Sequence, residues 1–233
     1  MPGRPGSFWF QGKVYVYYTA HGFGAAGQRV CGIGVATSED GFSFFKPLDE
    51  AVVEGAGAPD VVVREGRVWL VYARGNGQGQ WKFYVNSSED PLHFDPTAEV
   101  KIMSPSPDNE WEARSIITPR LFEQGGFYYM TYVGSPKYQD YGFAMGLARS
   151  RDLLRWERYP MNPIFQRAEG PTWDNAAIWF GTLFWKGDTY YLYYEGGGGP
   201  AVANRDEDYA GYGKTACSQI GLATYTGEWW EAL

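Results

Sequence analysis

Cysteine and histidine are nearly missing from this chain, at two residues each in 233. Cys31 and Cys217 are too few and too far apart to staple a small disulfide-built domain, and no Cys-x-x-Cys pair occurs. His21 and His93 have no metal-ligand spacing, so neither a metal site nor a cofactor is expected. No apolar run reaches the roughly 18 residues of a membrane span, so no membrane partner is expected. Basic clusters are missing as well. The formal charge is −7 and the sequence pI is 4.9, without the basic footprint that a nucleic-acid partner requires. The opening MPGRPGSFWF has Pro and Gly where a secretion signal would have its apolar core. No signal peptide is therefore expected there, and the location is the cytoplasm or, after loss of a leader, the exterior.

Glycine and aromatic residues are abundant: 31 glycines, and 18% Phe, Trp and Tyr. Glycine follows no collagen-like period and alternates with strong strand formers, which excludes collagen and opposes disorder. Short strands joined by tight turns account for this mixture. At this length the chain can bury a sizeable core as one all-β domain, residues 1–233.

Four segments repeat one pattern. A turn glycine opens an aromatic, β-branched strand: GKVYVYYTA at 12–20, GRVWLVYAR at 66–74, GFYYMTYVG at 126–134 and GDTYYLYYEG at 187–196. A second strand follows and ends in Ser or Thr, with an aromatic residue six positions later. These pairs are Ser38 and Phe44, Ser88 and Phe94, Ser150 and Trp156, Thr224 and Trp230. A third element precedes the turn glycine: GAPDVVVREG at 57–66, WEARSIITPRLFEQGG at 111–126 and WDNAAIWFGTLFWKG at 173–187. The last two align without a gap. In the first copy only PGSFWFQG, residues 5–12, precedes the glycine.

Period-two alternation makes these segments strands rather than helices. A unit of three or four short antiparallel strands cannot cover both of its faces, and radial stacking of such units makes a β-propeller. The sequence therefore predicts an all-β propeller with four visible blade units. A linear solenoid would need capping units, and none is found. Closure is the open point, because a ring must protect its edge strands. A blade is absent, reshaped or supplied by another chain, and a homo-oligomer is one way to complete the edge.

The strand ends LARSRDLLRW at 147–156 and VATSEDGFSF at 35–44 resemble those of the five-bladed propeller glycosidases. That group includes arabinanase- and xylosidase-like, invertase-like and mannoside-phosphorylase-like enzymes. The openings GKVYVYY and GGFYYMTY, and NPIF at 162–165, extend the resemblance over about residues 5–231. It implies a carbohydrate ligand and three carboxylates near the axis: a first-blade base or nucleophile, a modulating Asp and a Glu general acid. Asp60, which here follows Pro rather than preceding it, resembles the modulating residue, and Glu112 of WEARSI resembles the acid. No carboxylate lies near Arg4–Pro5–Gly6, where the first-blade acid is expected. Asp174, the repeat partner of Glu112, is the candidate to compensate. The axial calcium of arabinanase-like propellers has no dedicated Asp/Asn loop in this sequence.

Asp60, Glu112 and Asp174 are thus the candidate catalytic residues. Glycosidic cleavage needs a proton donor at the leaving oxygen and, with inversion, a carboxylate that activates water about 6.5–9.5 Å away. Trp111, Trp173 and Trp179 are candidate sugar platforms. Arg114 falls on the strand face of Glu112 by the period of two, and Glu195 ends its strand beside GGGG; both are candidate substrate ligands. The bland alternatives are a structural Glu–Arg pair, turn-forming aspartates and inter-blade tryptophans. Arg74, Lys137 and Arg205 are candidate rim residues.

The expected function is glycoside hydrolysis of a plant- or microbe-derived oligo- or polysaccharide, with inversion the expected course. The first alternative is a glycoside phosphorylase with Arg114 and Arg120 at the phosphate. The second is a non-catalytic carbohydrate-binding propeller, and a protein-interaction propeller is blander still. Cys31 and Cys217 occupy similar places in the first and fourth units and would approach one another in a closed ring of four.

Overall fold

A computed structural model describes residues 7–23, 27–75, 80–137, 142–199 and 218–227. The described chain is all-β, with four antiparallel sheets arranged as the blades of a propeller. Blade 1 contains β1 (Ser7–Phe10), β2 (Lys13–Phe23), β3 (Arg29–Ser38) and β4 (Val53–Glu54). Blade 2 contains β5 (Ala56–Arg64), β6 (Arg67–Gly75), β7 (Trp81–Ser88) and β8 (Val100–Met103). In blade 3, β9 (Ser115–Gln124), β10 (Phe127–Ser135) and β11 (Ala144–Ser150) are followed by the short β12 (Glu157–Arg158) and β13 (Phe165–Gln166), which both pair with β11. Blade 4 is β14 (Ala177–Lys186), β15 (Thr189–Gly197) and β16 (Gln219–Thr226).

The first strands of blades 2, 3 and 4 touch in succession, β5 on β9 and β9 on β14, which makes them the inner strands. Each inner strand turns into its partner through a tight hairpin, where glycines such as Gly66 and Gly187 take the positive φ the turn needs.

Alternation along the strands builds three cores, one in each seam between consecutive blades. Tyr15, Tyr17, Ile33 and Val35 of blade 1 meet Val68, Leu70, Tyr72 and Phe94 of blade 2. Val71, Phe83 and Val85 on the other face of blade 2 meet Ile116, Met130 and Tyr132 of blade 3. Val133, Met145 and Leu147 of blade 3 meet Ile178, Leu183, Leu192 and Tyr194 of blade 4. The recurrent aromatic after the strand-end serine packs backward against the preceding blade: Phe94 meets Tyr17 edge-on at 6.0 Å, and Trp156 joins the seam of blades 2 and 3. Phe44, its counterpart in blade 1, packs on no other blade among the described residues and is exposed. Among the described residues no contact of comparable extent joins blade 4 to blade 1. Cys217 lies outside the described residues, so the thiol pairing does too.

Candidate functional site

The inner strands share a local irregularity that places side chains at the axis. In blade 2 the register with β6 runs from Gly57–Ala73 to Asp60–Val71, leaving Ala58 and Pro59 bulged opposite Tyr72. In blade 3 Thr118 and Pro119 bulge opposite Tyr132, and in blade 4 Phe180 and Gly181 bulge opposite Tyr194. The first residue of each bulge has positive φ: Ala58 at 50°, Thr118 at 52° and Phe180 at 50°. That conformation is costly for a residue with a Cβ, and its repetition at three inner strands marks positions that the fold holds for a purpose.

Arg120, just after the second bulge, links all three inner strands. Its Nη1 donates to the Pro119 carbonyl at 2.7 Å and to the Pro59 carbonyl of blade 2 at 3.3 Å. Its guanidinium lies 5.0 Å from the centre of the Phe180 ring of blade 4, a cation–π arrangement. Burial pulls the Arg120 pKa below its ordinary value, and the charge of Asp60 opposes that shift. Phe180 is 40% exposed. The Thr118 hydroxyl is buried without a hydrogen-bond partner among the described residues, an orphan of the kind that calls for an explanation.

Asp60 lies beside this group. It is 1% exposed. Its Oδ2 accepts from the Leu121 amide at 2.6 Å, across the seam to β9, and its Oδ1 from the Val61 amide at 2.9 Å.

Glu112 has a different setting. It sits in a 3-10 turn, Glu110–Glu112, before β9 rather than on a strand. The period-of-two argument that paired it with Arg114 therefore fails, because side chains in such a turn do not alternate between faces. Its partner is Arg158 of β12: Nε donates to Oε1 at 2.9 Å and Nη2 to Oε2 at 3.1 Å. Asn109 Nδ2 adds a third bond at 2.7 Å, and the carboxylate is 0% exposed. Arg114 is exposed at the turn, with its amide bonded to the Ser135 carbonyl.

Asp174 repeats this arrangement in blade 4. It accepts from the Tyr194 hydroxyl at 2.8 Å and from Thr172 at 3.1 Å. Burial and then Asp174 raise the Tyr194 pKa, just as burial and then Glu112 raise that of Tyr132. The preceding tryptophans match too. Trp111 packs on Tyr132 with ring centres 5.6 Å apart, and Trp173 stacks on Tyr194 at 5.7 Å. The space for each ring comes from a glycine in the middle strand. A Cβ on Gly134 would come within 2.5 Å of Trp111 and 2.7 Å of the Glu112 Cβ; one on Gly196 would come within 2.8 Å of Trp173 and 2.9 Å of the Asp174 Cβ. WEAR and WDNA are therefore two copies of one packing device in which Trp covers the repeat tyrosine and an acid lies beside its hydroxyl.

Two of the expected sugar platforms are largely covered by packing. Trp111 is buried on Tyr132, and Trp179 is buried in the seam of blades 3 and 4. Trp173 is half-buried. Glu195, also half-buried, lies on the forward face of blade 4 opposite Ile220. Asp60, Glu112 and Asp174 keep separate sets of hydrogen-bond partners, at the axis, in blade 3 and in blade 4 respectively. Of the expected rim residues, Arg74 is held by Glu99 at 2.6 Å and by the Glu54 carbonyl at 2.6 Å. Lys137 is exposed, and Arg205 lies outside the described residues. Among the described residues no helix is long and apolar enough to cross a membrane.

Sequence reasoning singled out neither the Thr118 and Phe180 positions nor Arg158. The bulge signal was present in the aligned triplets Ala58-Pro59-Asp60, Thr118-Pro119-Arg120 and Phe180-Gly181-Thr182. Arg158 gave no such signal, since the outer strands β4, β8 and β12 lie outside the repeated sequence pattern.

No family model and no curated protein sequence matches the chain. Solved structures do. A thermostable family-43 glycoside hydrolase matches 96% of this chain and 71% of its own, with TM-score 0.68 and 18% identity. An endo-1,4-beta-xylanase from Bacteroides thetaiotaomicron matches 96% and 94%, with TM-score 0.62 and 15% identity. The beta-1,2-mannobiose phosphorylase from Listeria innocua, a complex with beta-1,2-mannobiose, matches 84% and 68%, with TM-score 0.57 and 13% identity. The fold is that of the propeller glycosidases, and these identities show the fold alone.

Proposed function

We propose that this chain is a carbohydrate-binding propeller that engages a saccharide at the inner bulges of blades 2, 3 and 4. Arg120 and Phe180 are the contacting groups, with Asp60 beside them, while Glu112 and Asp174 serve the blades. The observation that carries this reading is the content of the bulges. Ala58, Thr118 and Phe180 occupy them, and none of these side chains trades protons near neutrality. A general acid also has to reach the glycosidic oxygen. Glu112 is fully buried with both oxygens bonded to Arg158, which favours a structural role. The likeness to carbohydrate-active enzymes supports the ligand class.

Hydrolysis is the second reading, and Asp60 favours it as the one candidate acid next to an inner bulge. Calorimetric titration with arabino-, xylo-, manno- and fructo-oligosaccharides, paired with turnover assays on aryl glycosides with and without phosphate, separates the two. The expected result is binding without turnover. Turnover that Asp60→Asn abolishes while binding persists would establish the hydrolase. Turnover lost in a folded Glu112→Gln protein would return the acid role to Glu112, and phosphate-dependent turnover would identify a phosphorylase.

A further inference from the structure

Arg120 spends only part of its hydrogen-bonding capacity on the fold. Guanidinium carries five N–H donors in a planar fork, and among the described residues Nη1 is the one nitrogen that donates, to Pro119 and Pro59. Nε and Nη2 donate to no described group. Arg120 is half-buried, so this edge is open to water and to an acceptor that replaces water there. The Phe180 ring, 5.0 Å from the guanidinium, is 40% exposed on a strained bulge residue, and two residues before Arg120 is the orphaned Thr118 hydroxyl.

We propose that the axial site is specific for an acidic saccharide, whose uronate carboxylate pairs with the Nε–Nη2 edge of Arg120 while the sugar ring lies against Phe180. This rests on the saccharide reading above and names its ligand class. The geometry fits a carboxylate because two parallel N–H donors match its two oxygens. Charge decides against a dianion such as phosphate. The carboxylate of Asp60 acts on the same guanidinium, and the chain carries −7 overall, so a single negative charge is tolerated better than two. A sugar ring gives Phe180 an apolar C–H face to cover.

The test compares oligogalacturonates, and xylo-oligosaccharides bearing glucuronate, with their methyl esters, by calorimetric titration of the intact chain. Acid and ester differ only in the charged group, so the comparison needs no variant. The acid is expected to bind about tenfold or more tightly than the ester. Arg120→Gln should remove that preference. Arg120→Lys should lose most of it, keeping the charge but not the fork. Phe180→Ala should weaken acid and ester alike. Equal binding of acid and ester, a preference that survives Arg120→Gln, or tighter binding of inorganic phosphate would each overturn the proposal and leave the saccharide reading standing. Binding of neither the acidic nor the neutral sugars would sink both.

Discussion

Arg158 and Glu112, 46 residues apart, meet through two parallel hydrogen bonds of 2.9 and 3.1 Å. Arg158 also donates from Nη2 to the Ser104 carbonyl at 2.6 Å. One arginine thus ties the short β12, the segment after β8 and the turn that leads into β9. The pair is asymmetric, since the Arg158 side chain is 29% exposed and that of Glu112 is not exposed at all.

That asymmetry fixes the order of two variants. Arg158→Met strands a buried carboxylate and should cost about 3–5 kcal/mol. Glu112→Gln leaves an arginine that water still reaches and keeps an acceptor for it, so it should cost only about 1–2 kcal/mol. Urea midpoints at unchanged m-value measure both. A larger loss for Glu112→Gln would show that the carboxylate does something other than satisfy Arg158.

The packing device gives a second expectation. Gly134→Ala and Gly196→Ala put a methyl group into the Trp and acid of the same blade, an overpacking that costs about 1–3 kcal/mol each. Replacing Trp111 by Leu should relieve part of the cost of Gly134→Ala, since the contact with the Glu112 Cβ remains, and leave Gly196→Ala unrelieved. Thermal unfolding of the two singles and the two pairings reads this directly. Relief of both, or of neither, would mean that the two copies do not work as independent clamps.

The repeat was legible because it reports packing, and packing recurs in every blade. Period-two alternation, the turn glycines and the Ser-to-aromatic spacing mark the four units and the inner strands. The site was less legible, for a physical reason visible in WEAR. A tryptophan followed by an acid reads as a sugar platform with a proton donor, and the same pair also covers a tyrosine and lies beside its hydroxyl. Only the glycine opposite, Gly134 or Gly196, distinguishes the two, and sequence does not show which glycine faces which ring. Arg120 could be named from the sequence but not placed, because the bulge that brings it among three strands is a matter of register.

Acid should weaken the fold through its strand-end turns. Asp40 accepts from the Phe42 and Ser43 amides and the Ser38 hydroxyl, and Asp152 accepts from Leu154, Arg155 and Ser150 in the same pattern. In Asp40 backbone hydrogen bonds to Ser43 and Phe42 hold the pKa below the ordinary 3.8, and in Asp152 bonds to Arg155, Leu154 and Ser150 outweigh burial to the same effect. The folded carboxyls thus bind protons less readily than the unfolded ones. The stabilisation is complete above the unfolded pKa and fades as pH falls through the folded one. Urea midpoints should be flat with pH well above 3.8 and drop below it, with a shallower drop in Asp40→Asn. An unchanged slope in that variant would remove the turn from the account.

The two ends of the blade series expose the faces that the seams cover elsewhere. Leu192 and Leu222 lie on the opposite faces of blade 4, one 6% exposed in the seam with blade 3 and the other 51% exposed beside Tyr193. Phe184, Tyr191 and Tyr193 stack along that open face, with ring centres 5.1 and 5.7 Å apart. On blade 1, Trp9, Phe44 and Phe45 are exposed in turn. Leu192→Ala should cost about 2–5 kcal/mol by opening a cavity, and Leu222→Ala less than about 0.5 kcal/mol. Apolar faces of this kind drive association, so the isolated chain should form concentration-dependent oligomers in light scattering. Leu222→Arg should shift them toward monomer with little change in the urea midpoint, because Leu222 is 51% exposed and an arginine stem can still lie along Tyr193. A monomer at every concentration would mean that these faces are content in water, and a destabilised Leu222→Arg would mean that the chain already covers them.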